Sequence, residues 1–152
     1  MITCKNPILS GFYPDPSICR VGEWFYLVTS TFAYFPGIPV FRSRNLAQWE
    51  QIGNILTRES QLPLQGCEHN EGIYAPTLRW HKGTFYLITT NISSGGNFIV
   101  TAKNPQGPWS ESHFLENARG IDPSLFFDED GTCYYIGQRE NSRGGRYNGD
   151  CE

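Results

Sequence analysis

Two carboxylates in this chain stand in matching surroundings, Pro14-Asp15-Pro16-Ser17-Ile18 and Ile121-Asp122-Pro123-Ser124-Leu125. A pair of carboxyl groups aimed at one pocket suits glycoside hydrolysis, in which a base activates water and an acid protonates the leaving oxygen. The proline after each aspartate predicts an extended backbone at residues 15 and 122, so both side chains would be presented by a stiff chain, as positioned catalysis requires. The competing reading is local. Asp-Pro-Ser is also a turn-forming sequence, whose carboxylate accepts hydrogen bonds from nearby backbone N–H groups. A third copy, Ala75-Pro76-Thr77-Leu78, has alanine where the others carry acid. The scaffold therefore does not demand a charge there, and the acids of the first and third copies mark a candidate site.

The elements that must position these acids repeat with them. Each copy leads through a Gly-containing turn (Gly22, Gly83, Gly131) into an aromatic-aliphatic run at residues 25–30, 85–90 and 134–137. Copy and run together read as a β-hairpin. Runs at 37–41 and 97–101 supply third strands in the first two units, which then close with Asn45-to-Trp49 and Asn104-to-Trp109 turns before a fourth short strand. The copies at 15, 75 and 122 start 60 and 47 residues apart, near the roughly 40 to 50 residues of a four-stranded propeller blade with loop insertions. Ten prolines and sixteen glycines punctuate the whole length, and no stretch sustains an apolar 3.6-residue period.

The expected fold is all-β: a β-propeller with about two and a half four-stranded blades present, in units roughly 12–58, 72–115 and 120–152. Equivalent positions in blades point to the same place about the propeller axis, so Asp15 and Asp122 are expected to face one central pocket. A ring needs roughly four or more blades to close. The 152 residues therefore read as the N-terminal part of one catalytic propeller in a longer polypeptide. The polar stretch 138–150, with Arg139, Arg143 and Arg146 among glycines, reads as a solvated loop rather than an RNA-binding tract.

Composition narrows the partners. With 39% apolar and 18% charged residues the chain can bury a core. Twelve basic against fifteen acidic side chains, a net charge of -3, remove the positive footprint that nucleic acid or anionic lipid needs. No apolar run approaches the roughly 18 residues of a spanning helix, and no basic and apolar leader follows Met1, so a cytoplasmic location is expected. Cys4, Cys19, Cys67, Cys133 and Cys151 are odd in number and scattered, which fits neither a disulfide framework nor a zinc site and predicts reduced, mostly buried thiols. His69, His81 and His113 are too dispersed to specify a metal. No cofactor or metal ligand is assigned. Asn91-Ile92-Ser93 matches a glycosylation acceptor only at the level of chance.

Taken in order, Asn6-Pro7-Ile8-Leu9, Phe12-Tyr13-Pro14-Asp15-Pro16-Ser17, Ser30-Thr31-Phe32-Ala33-Tyr34-Phe35-Pro36-Gly37, Tyr74-Ala75-Pro76 and Gly120-Ile121-Asp122-Pro123-Ser124-Leu125 resemble glycoside hydrolase family 43, on its β-xylosidase branch. The resemblance spans nearly the whole chain, and the ordered set is far more specific than any one tripeptide. It implies a five-bladed propeller that cleaves β-1,4-xylosides or terminal arabinofuranosides in short plant-derived oligosaccharides, with inversion. It places the general base on Asp15. On Asp122 it places the aspartate that orients the acid and tunes its pKa, since a like charge nearby raises an acid's pKa. Phe32 and Tyr74 would line the sugar subsite with Ala75 beside them, although both rings could equally pack between blades.

Tyr74 stands where many members carry Trp, and Ala33 where an acidic residue is frequent, which leaves the choice between xylose and arabinose open. The family's acid is a glutamate that falls beyond Glu152. Glu68, Glu71, Glu140 and Glu152 lie outside its segment context, so the isolated 152 residues are expected to be inactive. The rival class is a non-catalytic carbohydrate-binding propeller, which would share the repeat and the aromatics but would not need paired acids.

Overall fold

The structure, a computed structural model, describes residues 4–140 and 146–147. Its strands form three antiparallel sheets in chain order. The first runs β1 (Ser17–Val21), β2 (Trp24–Val28), β3 (Gly37–Ser43), β4 (Glu50–Leu56), and the second β5 (Thr77–His81), β6 (Thr84–Asn91), β7 (Gly96–Ala102), β8 (His113–Phe114). The third holds β9 (Ile121–Phe127), β10 (Cys133–Glu140) and β11 (Arg146–Tyr147), ordered β11-β10-β9. The expected all-β propeller architecture is thus present as two complete four-stranded sheets and one of three strands. Among the described residues no helix is long and apolar enough to cross a membrane.

Turn chemistry sets the hairpins. Lys82 and Gly83 both have positive φ, 45° and 80°, the backbone of a two-residue turn whose twist matches the flanking strands. Val21 faces Trp24 and His81 faces Thr84 across these tight turns. The third hairpin has a longer turn, closed by Asp128 N–H donating to the Thr132 carbonyl at 2.9 Å. Its register shifts accordingly: Ile136 faces Ser124, where Val28 and Ile88 face Ser17 and Thr77 after one residue fewer. A bulge between Ile136 and Gln138 follows.

The Asn-to-Trp turns are built alike. Asn45 Oδ1 accepts from the N–H groups of Ala47 and Gln48, and Asn104 Oδ1 from that of Gln106. Each Trp indole then donates back into its turn, Trp49 to the Leu46 carbonyl and Trp109 to that of Pro105.

The strands β1, β5 and β9 pack in succession, β1 on β5 and β5 on β9, as first strands of neighbouring blades do about a common axis. The hydroxyl of the repeat serves this seam. Ser17 Oγ accepts from Leu78 N–H at 3.1 Å, and Ser124 Oγ from the Arg79 guanidinium at 3.1 Å. Arg79 also donates to the Leu125 carbonyl at 2.9 Å. Between the first two blades lies one apolar cluster that includes Val28, Val40 and Ile55 from one side and Leu78, Leu87, Phe98 and Val100 from the other. At the outer edge Gln61, fully buried, ties the same blades by donating to the Ser110 carbonyl at 2.7 Å.

Two expectations are corrected. Residues 138–140 continue β10, and Arg146–Tyr147 pairs back onto Arg139 and Glu140, so part of the expected loop is strand, because backbone pairing does not depend on side-chain polarity. Arg143 lies outside the described residues. The thiols are also less buried than expected: Cys4 and Cys133 are exposed, Cys19 and Cys67 half-buried, since Cys133 sits on the thinly covered third sheet and Cys4 in the N-terminal segment. Cys151 lies outside the described residues. Asn91 is fully buried, with its amide donating to the Pro63 carbonyl, which removes it as a glycosylation acceptor in the folded chain.

Candidate active site

Asp15 is held at the entrance to β1 from two directions. The Ser30 N–H donates to the Pro14 carbonyl at 3.0 Å, and Ser30 Oγ donates to Asp15 Oδ2 at 2.6 Å. Ser30 is only 1% exposed, whereas Asp15 is exposed. A buried hydroxyl thus grips one oxygen of a carboxylate that otherwise faces solvent. The donor is fifteen residues away in sequence, so this bond is not the local turn contact that Asp-Pro-Ser alone would suggest.

The extended backbone expected at both aspartates is overturned. Asp15 has φ 53° and Asp122 φ 56°, both left-handed. Asp is among the few residue types that visit this region, and holding a residue there costs on the order of 1–3 kcal/mol, which the surrounding contacts must offset. Ala75 shares neither the acid nor the left-handed backbone. The two acid-bearing copies are therefore alike in conformation as well as in sequence, and the middle copy differs in both.

Asp122 is exposed in β9, followed by the buried Pro123. The turn leading into it is anchored by Asn97, 1% exposed, whose amide donates to the carbonyls of Ala118 at 2.8 Å and Gly120 at 3.3 Å and to the Tyr135 hydroxyl at 2.9 Å. Asn97 Oδ1 in turn accepts from the Thr90 hydroxyl at 2.5 Å. β1 and β9 do not touch among the described residues, β5 lying between them.

Phe32 and Tyr74 meet edge to face across the seam of the first two blades, ring centroids 5.5 Å apart, each half-buried. Phe32 is itself left-handed at φ 47° and is fixed by a reciprocal pair of bonds with Ile73, 2.9 and 3.0 Å. Gly72 makes this approach feasible: a Cβ there would collide with the Phe32 carbonyl oxygen. Tyr74 N–H donates to the Thr90 carbonyl at 3.0 Å, and Thr89 Oγ1 donates to the Tyr74 carbonyl at 2.9 Å. Ala75 follows, half-buried. Phe12 extends the aromatic row outward, 5.9 Å from Phe32 and 6.5 Å from Tyr34.

A continuous run of bonds therefore links Asp15 through Ser30, the Phe32–Ile73 bridge, Tyr74, Thr90 and Asn97 to the turn before Asp122. A cavity of about 330 Å³ lies to one side, bordered by Phe12, Tyr13, Ser30, Thr31 and Tyr34 among others, and touches this run at Ser30 and the adjoining Thr31. Ser30 and Asn97 escaped the sequence reading. Their signal lay in the matching strand ends Thr29-Ser30 and Thr89-Thr90, which carry hydroxyls at equivalent places. Among the described residues no three His, Cys, Asp or Glu side chains cluster as a metal site, and His81 stacks on Phe127 at 4.5 Å between the second and third blades.

Residues 4–150 match the profile of the glycosyl hydrolases family 43. The chain belongs to that family. Relatives of this family 43 chain include a xylosidase/arabinosidase of Butyrivibrio fibrisolvens, 66% identical over the whole chain, and a non-reducing end alpha-L-arabinofuranosidase of Bacteroides ovatus, 54% identical over 88% of it. The chain covers 30% and 26% of those proteins. The crystal structure of a xylan beta-1,4-xylosidase from Bacillus halodurans superposes with a TM-score of 0.88 at 45% identity, over 95% of this chain and 29% of that one. Family 43 proteins are five-bladed β-propellers, and the partial set of blades here fits a portion of such a ring.

Proposed function

We propose that this chain is the first part of an inverting glycoside hydrolase that removes xylosyl, and also arabinofuranosyl, units from short plant-derived oligosaccharides. The observation that carries the reading is Asp15: an exposed carboxylate on left-handed backbone between two prolines, gripped by a buried hydroxyl, at a repeat position where the second blade has alanine. The printed activities of the xylosidase and arabinosidase relatives support the substrate class.

In this reading Asp15 acts as general base. It takes a proton from water as that oxygen bonds the anomeric carbon, while the bond to the leaving oxygen breaks and an acid supplied beyond residue 152 protonates it. Asp122 orients that acid, and its negative charge raises the acid's pKa so that the proton is available. Phe32 and Tyr74 offer ring faces to the C–H face of the sugar, with Ala75 leaving room beside them.

The test uses the full-length polypeptide with aryl β-D-xyloside and aryl α-L-arabinofuranoside. Asp15→Asn is expected to lower kcat by about 100- to 10,000-fold with an unchanged melting curve, and a fully active variant overturns the assignment. The 152-residue chain on its own should turn over neither substrate, since in this reading the acid comes from outside it. Sugar binding by the full-length protein without any hydrolysis would replace the reading with a binding propeller.

A further inference from the structure

We infer that Ser30 is the positioning residue of the Asp15 carboxylate, an inference that rests on Asp15 being the general base. The internal repeat supplies the control. In the first blade Val28 faces Ser17 and in the second Ile88 faces Thr77, so Ser30 and Thr90, two residues on, occupy equivalent places. Both are buried, at 1% and 2% exposure. Both join the backbone of the residue before the acid position, Ser30 N–H to the Pro14 carbonyl and Tyr74 N–H to the Thr90 carbonyl, each at 3.0 Å.

Their hydroxyls go to different acceptors. Thr90 donates to Asn97 Oδ1, which faces it on β7. Continuing the β2–β3 register beyond Val28 and Val40 puts Ile38, fully buried, in the place of Asn97. An isoleucine offers no acceptor, so the Ser30 hydroxyl crosses to Asp15 Oδ2 at 2.6 Å. A bond from a hydroxyl to an ionised carboxylate is short and about twice as strong as a neutral one. It fixes the rotation of a side chain that is otherwise exposed, and with Oδ2 held, Oδ1 is left to accept the proton of the attacking water. The pairing of serine with acid in one blade, and of threonine with asparagine in the next, separates a hydroxyl that aims a functional group from one that braces the fold.

The experiment is a double-mutant cycle in the full-length polypeptide. Ser30→Ala should lower kcat by about 10- to 100-fold, the scale of losing positioning without losing the group, with KM within about twofold and melting unchanged. Ser30→Thr should restore most of the rate. In the Asp15→Asn background Ser30→Ala should cost nothing further, since Ser30 acts through that carboxylate. Full activity of Ser30→Ala beside an inactive Asp15→Asn overturns the inference while leaving the base assignment standing. An active Asp15→Asn defeats the base assignment first. Equal losses in both backgrounds mean a structural role and also overturn it. If Ser30→Ala does not fold, Ser30→Cys, nearly isosteric with a weaker donor, carries the same cycle with the same expected sign.

Discussion

The first and second blades are two answers to one pattern. Both have the same four-stranded order, the same tight first hairpin and the same Asn-to-Trp closure. Yet the first carries Asp15, Ser30 and Ile38 where the second carries Ala75, Thr90 and Asn97. The second blade spends its polar residues internally: Asn97 satisfies Thr90, Tyr135 and two carbonyls of the neighbouring turn. The first directs its hydroxyl to an exposed acid. The difference teaches that the proline and hydroxyl of the repeat belong to the propeller, while the acid is an addition to it.

The sharpest break of this comparison is catalytic. Asp15→Asn, measured as described above, should cost about 100- to 10,000-fold in kcat, whereas Ala75→Ser, at the same repeat position but beside the sugar, should act mainly on KM and leave kcat within a few-fold. A comparable loss from Ala75→Ser would erase the distinction between the blades.

Next come the cores. Phe98 is fully buried on β7, while Phe126 of the third blade is 56% exposed. Phe98→Ala should destabilise the chain by about 3–5 kcal/mol in urea unfolding, and Phe126→Ala by less than about 0.5 kcal/mol. Similar losses would mean that the third sheet is as well packed as the seam of the first two.

Smaller still is the contrast between the two braces. Asn97→Ala strands the buried Thr90 hydroxyl, the half-buried Tyr135 hydroxyl and the turn carbonyls, and should cost about 1–3 kcal/mol. Ser30→Ala uncovers only an oxygen of an exposed carboxylate, which water can solvate, and should shift the unfolding midpoint much less.

The weakest effect lies at the outer edge, where Arg58 pairs with Glu111 at 2.7 Å. The Glu111 carboxyl is held below its usual range first by the Ser60 hydroxyl and then by Arg58. A carboxyl lowered in the folded state contributes stability above its ordinary pKa, and that contribution fades as pH falls through the lowered folded value. The pair is exposed and screened, so the contribution is small. Between pH 7 and pH 3 the native chain should lose slightly more stability than Glu111→Gln, and an equal or larger loss in the variant would show that the pair contributes nothing.

Much of this was legible because it is written locally. Strand residues at 24–28, 84–88 and 133–137 announce themselves by aromatic and β-branched side chains, and the hairpin glycines by their spacing. The exception at Ala75 marks the acids in the sequence itself. The three Gly-containing turns read alike in sequence, and the longer third turn with the register shift that brings Ile136 opposite Ser124 came only with the structure.

The sequence by itself determined the fold class, the repeating unit and the positions that could carry charge, because each depends on residues adjacent in the chain. Only the tertiary structure decided that Asp15 and Asp122 are left-handed rather than extended, that Phe32 and Tyr74 meet across a seam, and that a serine fifteen residues away holds the acid. Those outcomes are set by contacts through space. A proline biases its neighbour's backbone by steric repulsion alone, and a buried hydroxyl with no acceptor on the facing strand reaches for the carboxylate at the entrance to β1.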